Sequence, residues 1–128
     1  MVCWLTSTIV KAIHAQLLRE YGGLQGPVNE GALDSTLARP RHLEAYSNSA
    51  PTIFELAASY GYGFAKNHCF TDGNKRAALG AVDVFLQLND YELSVSEPEA
   101  VLVMRQAASD TVSEQELAAW IRDNSTRL

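Results

Sequence analysis

Eleven consecutive residues, 66–76, hold the side chains best suited to chemistry in this 128-residue chain. In order they are Lys66, Asn67, His68, Cys69, Phe70, Thr71, Asp72, Gly73, Asn74, Lys75 and Arg76. Histidine has an ordinary pKa well matched to proton transfer near neutral pH. His68 is therefore the candidate general base. Phe70, two residues later, is expected to point inward and anchor the loop.

Lys75 and Arg76 place two positive charges in the first turn of the helix expected after Gly73. That end of a helix carries unpaired N–H groups and about half a positive charge, so cations there are unfavourable unless an anion lies between them. This conflict predicts a bound phosphate. Asn74 can cap the helix or donate to the phosphate. Asp72 is a candidate ligand for Mg²⁺, which is usually held by one or two carboxylates together with substrate phosphates.

The elements that position this loop are predicted to be helices. A first helix is indicated by an apolar stripe at four-residue spacing and stops at Gly22-Gly23. The stripe consists of Ile9, Ile13, Leu17 and Tyr21. Asn29 is placed to cap a short second helix that runs to about Leu37, and Pro40 is expected to prevent its continuation. The polar stretch 41–50 is interpreted as a loop or flap.

A third helix, with Pro51 in its first turn, is predicted to end near Asn67. The segment 77–88 is apolar except for Gly80, Asp83 and Gln87, which predicts a buried central helix with one polar edge.

Two last helices are indicated by capping-box patterns that begin at Ser96 and Ser113. The alternating segment 91–95 is interpreted as an extended link without an obvious strand partner. The expected fold is an all-α bundle of about six helices around a buried central helix, in a single domain that spans residues 1–128.

Composition limits the function classes. The formal net charge is −5, whereas a dedicated nucleic-acid or membrane-surface binder usually shows a basic face. No segment approaches the ~20 apolar residues of a membrane helix, and no signal peptide is evident. Cys3 and Cys69 are too few for a disulfide framework and are interpreted as reduced thiols of a cytoplasmic protein. With only three histidines, the ligands are too few for a zinc site.

The segment from His68 to Arg76 resembles the signature of the Fic/Doc superfamily, in its Doc (death-on-curing) form. The similarity extends over about residues 6–124 and includes the Tyr-Gly-Gly-Leu run at 21–24 and the Phe-Glu-Leu-Ala run at 54–57. Adenylylating Fic enzymes typically have Gly at the position of Lys75 and a second Arg at the position of Leu79. Both departures are features of Doc toxins, which the resemblance identifies as kinases.

The resemblance implies an ATP- and Mg²⁺-dependent toxin that transfers the γ-phosphate of ATP to a threonine of elongation factor Tu, which inhibits translation. It implies His68 as the base and Asp72 as the Mg²⁺ ligand or orienting group. The residues implied to hold nucleotide phosphates are Lys66, Gly73, Asn74, Lys75 and Arg76. The implied partner is a Phd-like antitoxin with a flexible segment that folds as a helix on the toxin.

Two other functions stay open from the sequence: transfer of AMP by the same fold, and a catalytically inactive module that only binds an antitoxin. The remaining polar and aromatic candidates have structural interpretations. His14 and His42 are expected to be structural or exposed, and Trp4 and Trp120 to form core or partner contacts. Arg39 and Arg41 are expected to be surface charges, with substrate contact as the alternative.

Overall fold

The computed structural model describes all 128 residues, which form six helices and two short strands. The helices are α1 (Ser7–Tyr21), α2 (Glu30–Tyr46), α3 (Ile53–Lys66), α4 (Asn74–Leu88), α5 (Glu97–Ala108) and α6 (Glu114–Asp123). The strands are β1 (Tyr91–Leu93) and β2 (Ser125–Arg127). The mostly helical fold class is confirmed. None of the six helices is both long and apolar enough to cross a membrane.

Most of the helices begin at capping side chains, several of them at the residues that the sequence predicts. Asn29 accepts a hydrogen bond from the N–H of Ala32 and caps α2, as predicted. Ser113 caps α6 in a full capping box with Glu116. The Ser96 hydroxyl caps α5 by accepting from the N–H of Glu99. Helix α3 starts after Thr52, which forms a capping box with Glu55, so the expectation that Pro51 lies in its first turn is wrong.

Helix α2 is longer than expected and runs through Pro40 to Tyr46. The predictions of an end near Leu37 and of a loop over 41–50 are therefore wrong, and only residues 47–50 of that segment are not helical. A proline inside a helix costs about 3 kcal/mol because it removes one backbone hydrogen bond and crowds the preceding turn. Burial of Leu33, Thr36 and Pro40 along one face of α2 offsets this cost.

The central helix is α3, whose residues from Leu56 to Gly61 are all buried. It packs against α2, α4, α5 and α6. Small residues permit this close packing: a Cβ on Gly61 would lie 2.8 Å from Val82, and one on Gly63 would lie 2.9 Å from Thr36. The expected centre, 77–88, belongs to α4, which packs beside α3 and starts three residues earlier, at Asn74. Its polar edge is present, with Gln87 donating to Asp83 at 3.4 Å.

The segment after α4 has the strand partner that the sequence did not reveal. β1 pairs antiparallel with β2, with Tyr91 opposite Arg127 and Leu93 opposite Ser125. β2 follows α6 directly and is short and polar, so it carries no period-two apolar pattern. The two strands join the chain after α4 to the C-terminus.

Candidate active site

The loop between α3 and α4 is anchored from inside by Phe70. This side chain is 4% exposed and stacks on the ring of His14 from α1, with ring centroids 3.8 Å apart and planes within 9°. Asn74 fixes the backbone of the same residue: its Oδ1 accepts from the Phe70 N–H at 3.0 Å and its Nδ2 donates to the Phe70 carbonyl at 2.9 Å. The inward position predicted for Phe70 is present in the structure.

His14 has a structural role that its sequence position does not reveal. Its Nε2 lies 2.7 Å from the backbone carbonyl oxygen of Asp72. A carbonyl oxygen only accepts, so His14 carries a proton on Nε2 and donates it. Helix α1 thereby fixes both the apolar anchor, Phe70, and the polar turn of the loop, Asp72.

Asp72 connects the loop to the segment that follows α1. Its Oδ2 accepts from the N–H of Leu24 at 3.0 Å and its Oδ1 accepts from the N–H of Gly73 at 2.8 Å. These bonds, first the one from Leu24 and then the one from Gly73, hold the pKa of the Asp72 carboxyl below its ordinary value. The carboxylate is therefore ionised at neutral pH.

Two further bonds attach the same segment to the motif loop. Thr71 donates to the carbonyl of Pro27 at 3.1 Å, and the N–H of Asn29 donates to the carbonyl of Cys69 at 2.8 Å. The Cys69 thiol is buried beside the hydroxyl of Thr36, and burial raises its pKa. Because a raised pKa disfavours the reactive thiolate, Cys69 is a packing residue.

The start of α4 leaves backbone N–H groups without a side-chain partner. Gly73 precedes the helix in the left-handed region, with φ 78°, and no side chain caps the first turn. The expectation that Asn74 caps this helix is wrong, since both polar atoms of its side chain bond to Phe70. The N–H groups of the first turn, which have no helical partner, remain for an anion.

His68 lies on the exposed side of this loop. Its backbone is in the left-handed region, with φ 49°, which is uncommon for a residue other than glycine. Its side chain is exposed and has no hydrogen-bond partner within the chain. The imidazole is therefore open to a substrate, while the buried neighbours Cys69 and Phe70 hold the loop in place.

Arg76 is held by residues from two other helices. Its guanidinium lies 3.8 Å from the ring centroid of Tyr21 and donates to Glu97 at 2.6 Å. Tyr21 donates to the second oxygen of Glu97 at 2.7 Å. The bonds from Tyr21 and Arg76 hold the pKa of Glu97 below its ordinary value, and the bond to Glu97 raises the pKa of Tyr21. Lys75, in contrast, has no hydrogen-bond or ion-pair partner in the chain.

The structure brings most of the sequence-predicted residues around one open depression of about 390 Å³, a volume within the usual range of ligand sites. The predicted residues that line it are His68, Asp72, Gly73, Asn74, Lys75 and Arg76. Tyr21, Gly22, Thr71, Val101 and Arg105 complete the lining. The contribution of α5, through Val101 and Arg105, was not predicted from the sequence.

Lys66 does not line this depression. It forms an ion pair with Asp110 and donates to the hydroxyl of Tyr62 at 3.3 Å. These contacts, the one with Asp110 first, raise the pKa of Lys66 and lower that of Asp110. In this structure Lys66 thus joins α3 to the residue two positions after α5, and a phosphate contact for it stays a prediction.

The arginines near Pro40 also have partners within the fold. Arg39 donates to the backbone carbonyl of Ser59 and to Glu114, both at 2.7 Å, so it joins α2, α3 and α6. Arg41 lies over the ring of Trp4, 5.2 Å from its centroid. His42 is exposed and lies edge-on to Tyr46. These contacts are structural.

No group of three or more histidine, cysteine, aspartate or glutamate side chains is arranged to hold a metal ion by itself. In the depression, Asp72 is the only carboxylate. Each of its oxygens accepts one N–H and keeps a further lone pair, so it suits a cation whose other ligands come from a substrate.

Sequence comparison relates the chain to known proteins. Residues 4–86, well over half of the chain, match the model of the Fic/DOC family. The chain is 32% identical over 111 residues to "Protein kinase doc" of Escherichia phage P1, an alignment that covers 87% of this chain and 86% of that relative. It is 34% identical over 74 residues to "Toxin Doc" of Mycolicibacterium smegmatis, covering 58% of this chain and 57% of that relative.

Proposed function

Because this chain belongs to the Fic/Doc family, we propose that it is a toxin of the Doc type. In this proposal it is a protein kinase that transfers the γ-phosphate of ATP to a threonine hydroxyl of elongation factor Tu and so inhibits translation. One relative is named a protein kinase and another a toxin, and these names support the proposed kinase activity and the proposed toxin role. The threonine and the elongation factor come from the resemblance of the motif alone.

One observation carries the proposal: an exposed histidine and an uncapped, cationic helix start face the same depression. His68 supplies a base and Lys75 a positive charge. Phosphoryl transfer needs positioning and charge stabilisation more than covalent help from the protein. A short basic loop on a rigid helix meets that need.

The start of α4 is the proposed phosphate site. Its first-turn N–H groups, together with Lys75, attract an anion, and the helix dipole adds to that attraction. At an effective dielectric near 20, a cation about 4 Å from a phosphate oxygen contributes about 4 kcal/mol before desolvation. Lys75 forms no ion pair within the chain, whereas Arg76 is already paired with Glu97.

His68 is the proposed general base. It takes the proton of the target hydroxyl while that oxygen forms a bond to the γ-phosphorus and the bond to the bridging β–γ oxygen breaks, which leaves ADP. A positioned base typically supplies about 10²–10⁴-fold in rate. Because its imidazole makes no hydrogen bond in the chain, no internal contact has to break before it reaches the hydroxyl.

Asp72 is the proposed protein ligand of Mg²⁺. The ion, when bound, neutralises charge on the phosphates of the nucleotide. Asp72 is kept ionised by its two backbone bonds, and these also fix its orientation against Gly73 and Leu24. The same carboxylate therefore ties the loop together and presents one lone pair on each oxygen.

An antitoxin is the proposed partner, with a flexible, Phd-like segment that folds as a helix on this chain. A toxin among the relatives supports such a partner. A second depression next to Arg76 offers an apolar surface of the kind that an amphipathic helix covers. Its apolar lining includes Leu17, Leu79, Leu93 and Val95. The proposed compartment is the cytoplasm, where the proposed target acts.

The proposal is tested with purified elongation factor Tu, Mg²⁺ and ATP labelled at the γ-phosphate. We expect label on the factor, recovered as phosphothreonine after hydrolysis, and at least 100-fold less with the His68→Ala variant. His42→Ala is the matched control, because His42 is an exposed histidine on α2, outside the depression. Transfer that survives His68→Ala contradicts the role of the base, and label on another protein alone contradicts the target.

A further inference from the structure

We propose that Arg105 is a further phosphate-binding residue of this site, one that contacts the phosphate chain of a nucleoside triphosphate from α5. The inference rests on the proposed function and adds a residue outside the sequence motif. It follows from three observations: the position of Arg105, its lack of a carboxylate partner, and the charge balance of the depression.

One face of α5 is turned toward the start of α4. Glu97, Val101 and Arg105 recur at four-residue spacing and therefore share this face. Glu97 bonds to Arg76, while Val101 and Arg105 line the depression that contains His68 and Lys75. At 1.5 Å per residue, Arg105 lies about 12 Å along the helix from Glu97. Arg105 thus lies in the wall of the depression that α5 provides.

Arg105 is exposed and takes part in none of the five ion pairs of the chain. The next acidic residue along the chain, Asp110, is occupied by Lys66 and Tyr62. Arg105 therefore has no carboxylate partner within the fold; it lies in the last turn of α5, where the helix dipole favours a cation.

The lining of the depression is positive although the whole chain is negative. It contains Lys75, Arg76 and Arg105 but only one carboxylate, Asp72, in a protein of net charge −5. Since Arg76 is paired with Glu97, the two cations left without a partner are Lys75 and Arg105. A ligand with several negative charges in a row satisfies both, and a planar guanidinium can bond two phosphate oxygens at once.

The test measures binding of inorganic tripolyphosphate and of ATP with Mg²⁺ by calorimetry at low salt. We expect Arg105→Gln to weaken both by about tenfold, the loss typical of a charge-assisted hydrogen bond. Arg105→Lys keeps the charge but not the planar guanidinium, and its affinity for both ligands is expected to lie between those of the wild type and Arg105→Gln. Arg122→Gln, which removes the same charge from an exposed site on α6, is the matched control and is expected to stay within twofold.

The outcomes distinguish a failure of the role of Arg105 from a failure of the proposed function. Binding to the wild type with unchanged binding to Arg105→Gln overturns the role of Arg105 and leaves the proposed function standing. An equal loss in Arg122→Gln overturns it as well, because the effect is then one of net charge. No binding of either ligand to the wild type overturns the proposed function and this inference with it.

Discussion

Replacing Asn74 with alanine removes the two hydrogen bonds that hold the backbone of Phe70, from its N–H at 3.0 Å and to its carbonyl at 2.9 Å. Each such bond contributes about 0.5–1.5 kcal/mol net, so we expect the free energy of unfolding to fall by about 1–3 kcal/mol. A domain of this kind has about 5–15 kcal/mol of stability and stays folded after that loss. Urea denaturation of both proteins, with linear extrapolation, measures the difference.

Asn89 provides a matched control at the other end of α4. Its side chain accepts from the N–H of Cys3 at 2.8 Å and donates to the Cys3 carbonyl at 2.9 Å, a similar bridge far from the loop, and it donates to the Phe85 carbonyl at 2.8 Å as well. Asn89→Ala is expected to lose similar stability without a change in ATP binding, whereas Asn74→Ala loses stability and binds ATP more weakly. A loss below about 0.5 kcal/mol for Asn74→Ala, or equal effects of both variants on ATP binding, would refute the reasoning.

Three other predictions concern the same region. Gly73→Ala is expected to lower the free energy of unfolding by about 1–2 kcal/mol in urea denaturation, because φ is 78° at this position and the left-handed region is unfavourable for alanine. The added Cβ itself would clash with no neighbouring atom. Hydrogen bonds hold the pKa of Glu97 and of Asp110 below their ordinary values, chiefly the bond from Tyr21 to Glu97 and the bond from Lys66 to Asp110. The two carboxylates therefore contribute their full share to the stability of the fold above the ordinary pKa, and this share is lost as the pH falls through the lowered pKa of the folded protein. Stability measured from pH 7 to pH 3 should therefore decline below about pH 4, and a flat profile contradicts this. Glu97→Gln is expected to tighten tripolyphosphate binding about two- to fivefold, since it removes the carboxylate that competes for Arg76; weaker binding contradicts the competition.

Local signals in the sequence predict the parts of the fold that depend on neighbours in the chain. Asn29 and Ser113 cap their helices as expected, and Gly22 ends α1. The same holds for the motif, because the positions from His68 to Arg76 are fixed by one turn and one helix start. The sequence therefore predicts that these side chains share a site.

Partners distant in the sequence could not be predicted. Whether Pro40 ends α2 depends on packing against α3, and packing outweighs its local preference. The partner of β1 lies more than 30 residues later in a short polar segment. Lys66 adjoins the motif but turns to Asp110, whereas Arg105 is remote in the sequence and lines the depression. A charge pattern alone cannot tell these two cations apart.

The central claim is that His68 and the start of α4 transfer a phosphoryl group from ATP to a protein. The most direct test incubates the purified protein, or its His68→Ala variant, with Mg²⁺ and a bacterial lysate, using ATP labelled at either the γ- or the α-phosphate. We expect one protein band, near the size of elongation factor Tu, labelled from the γ-phosphate only and absent with the variant. A band labelled from the α-phosphate would mean that Lys75 does not prevent transfer of AMP. No band from either label would contradict catalysis and favour a module that only binds its partner.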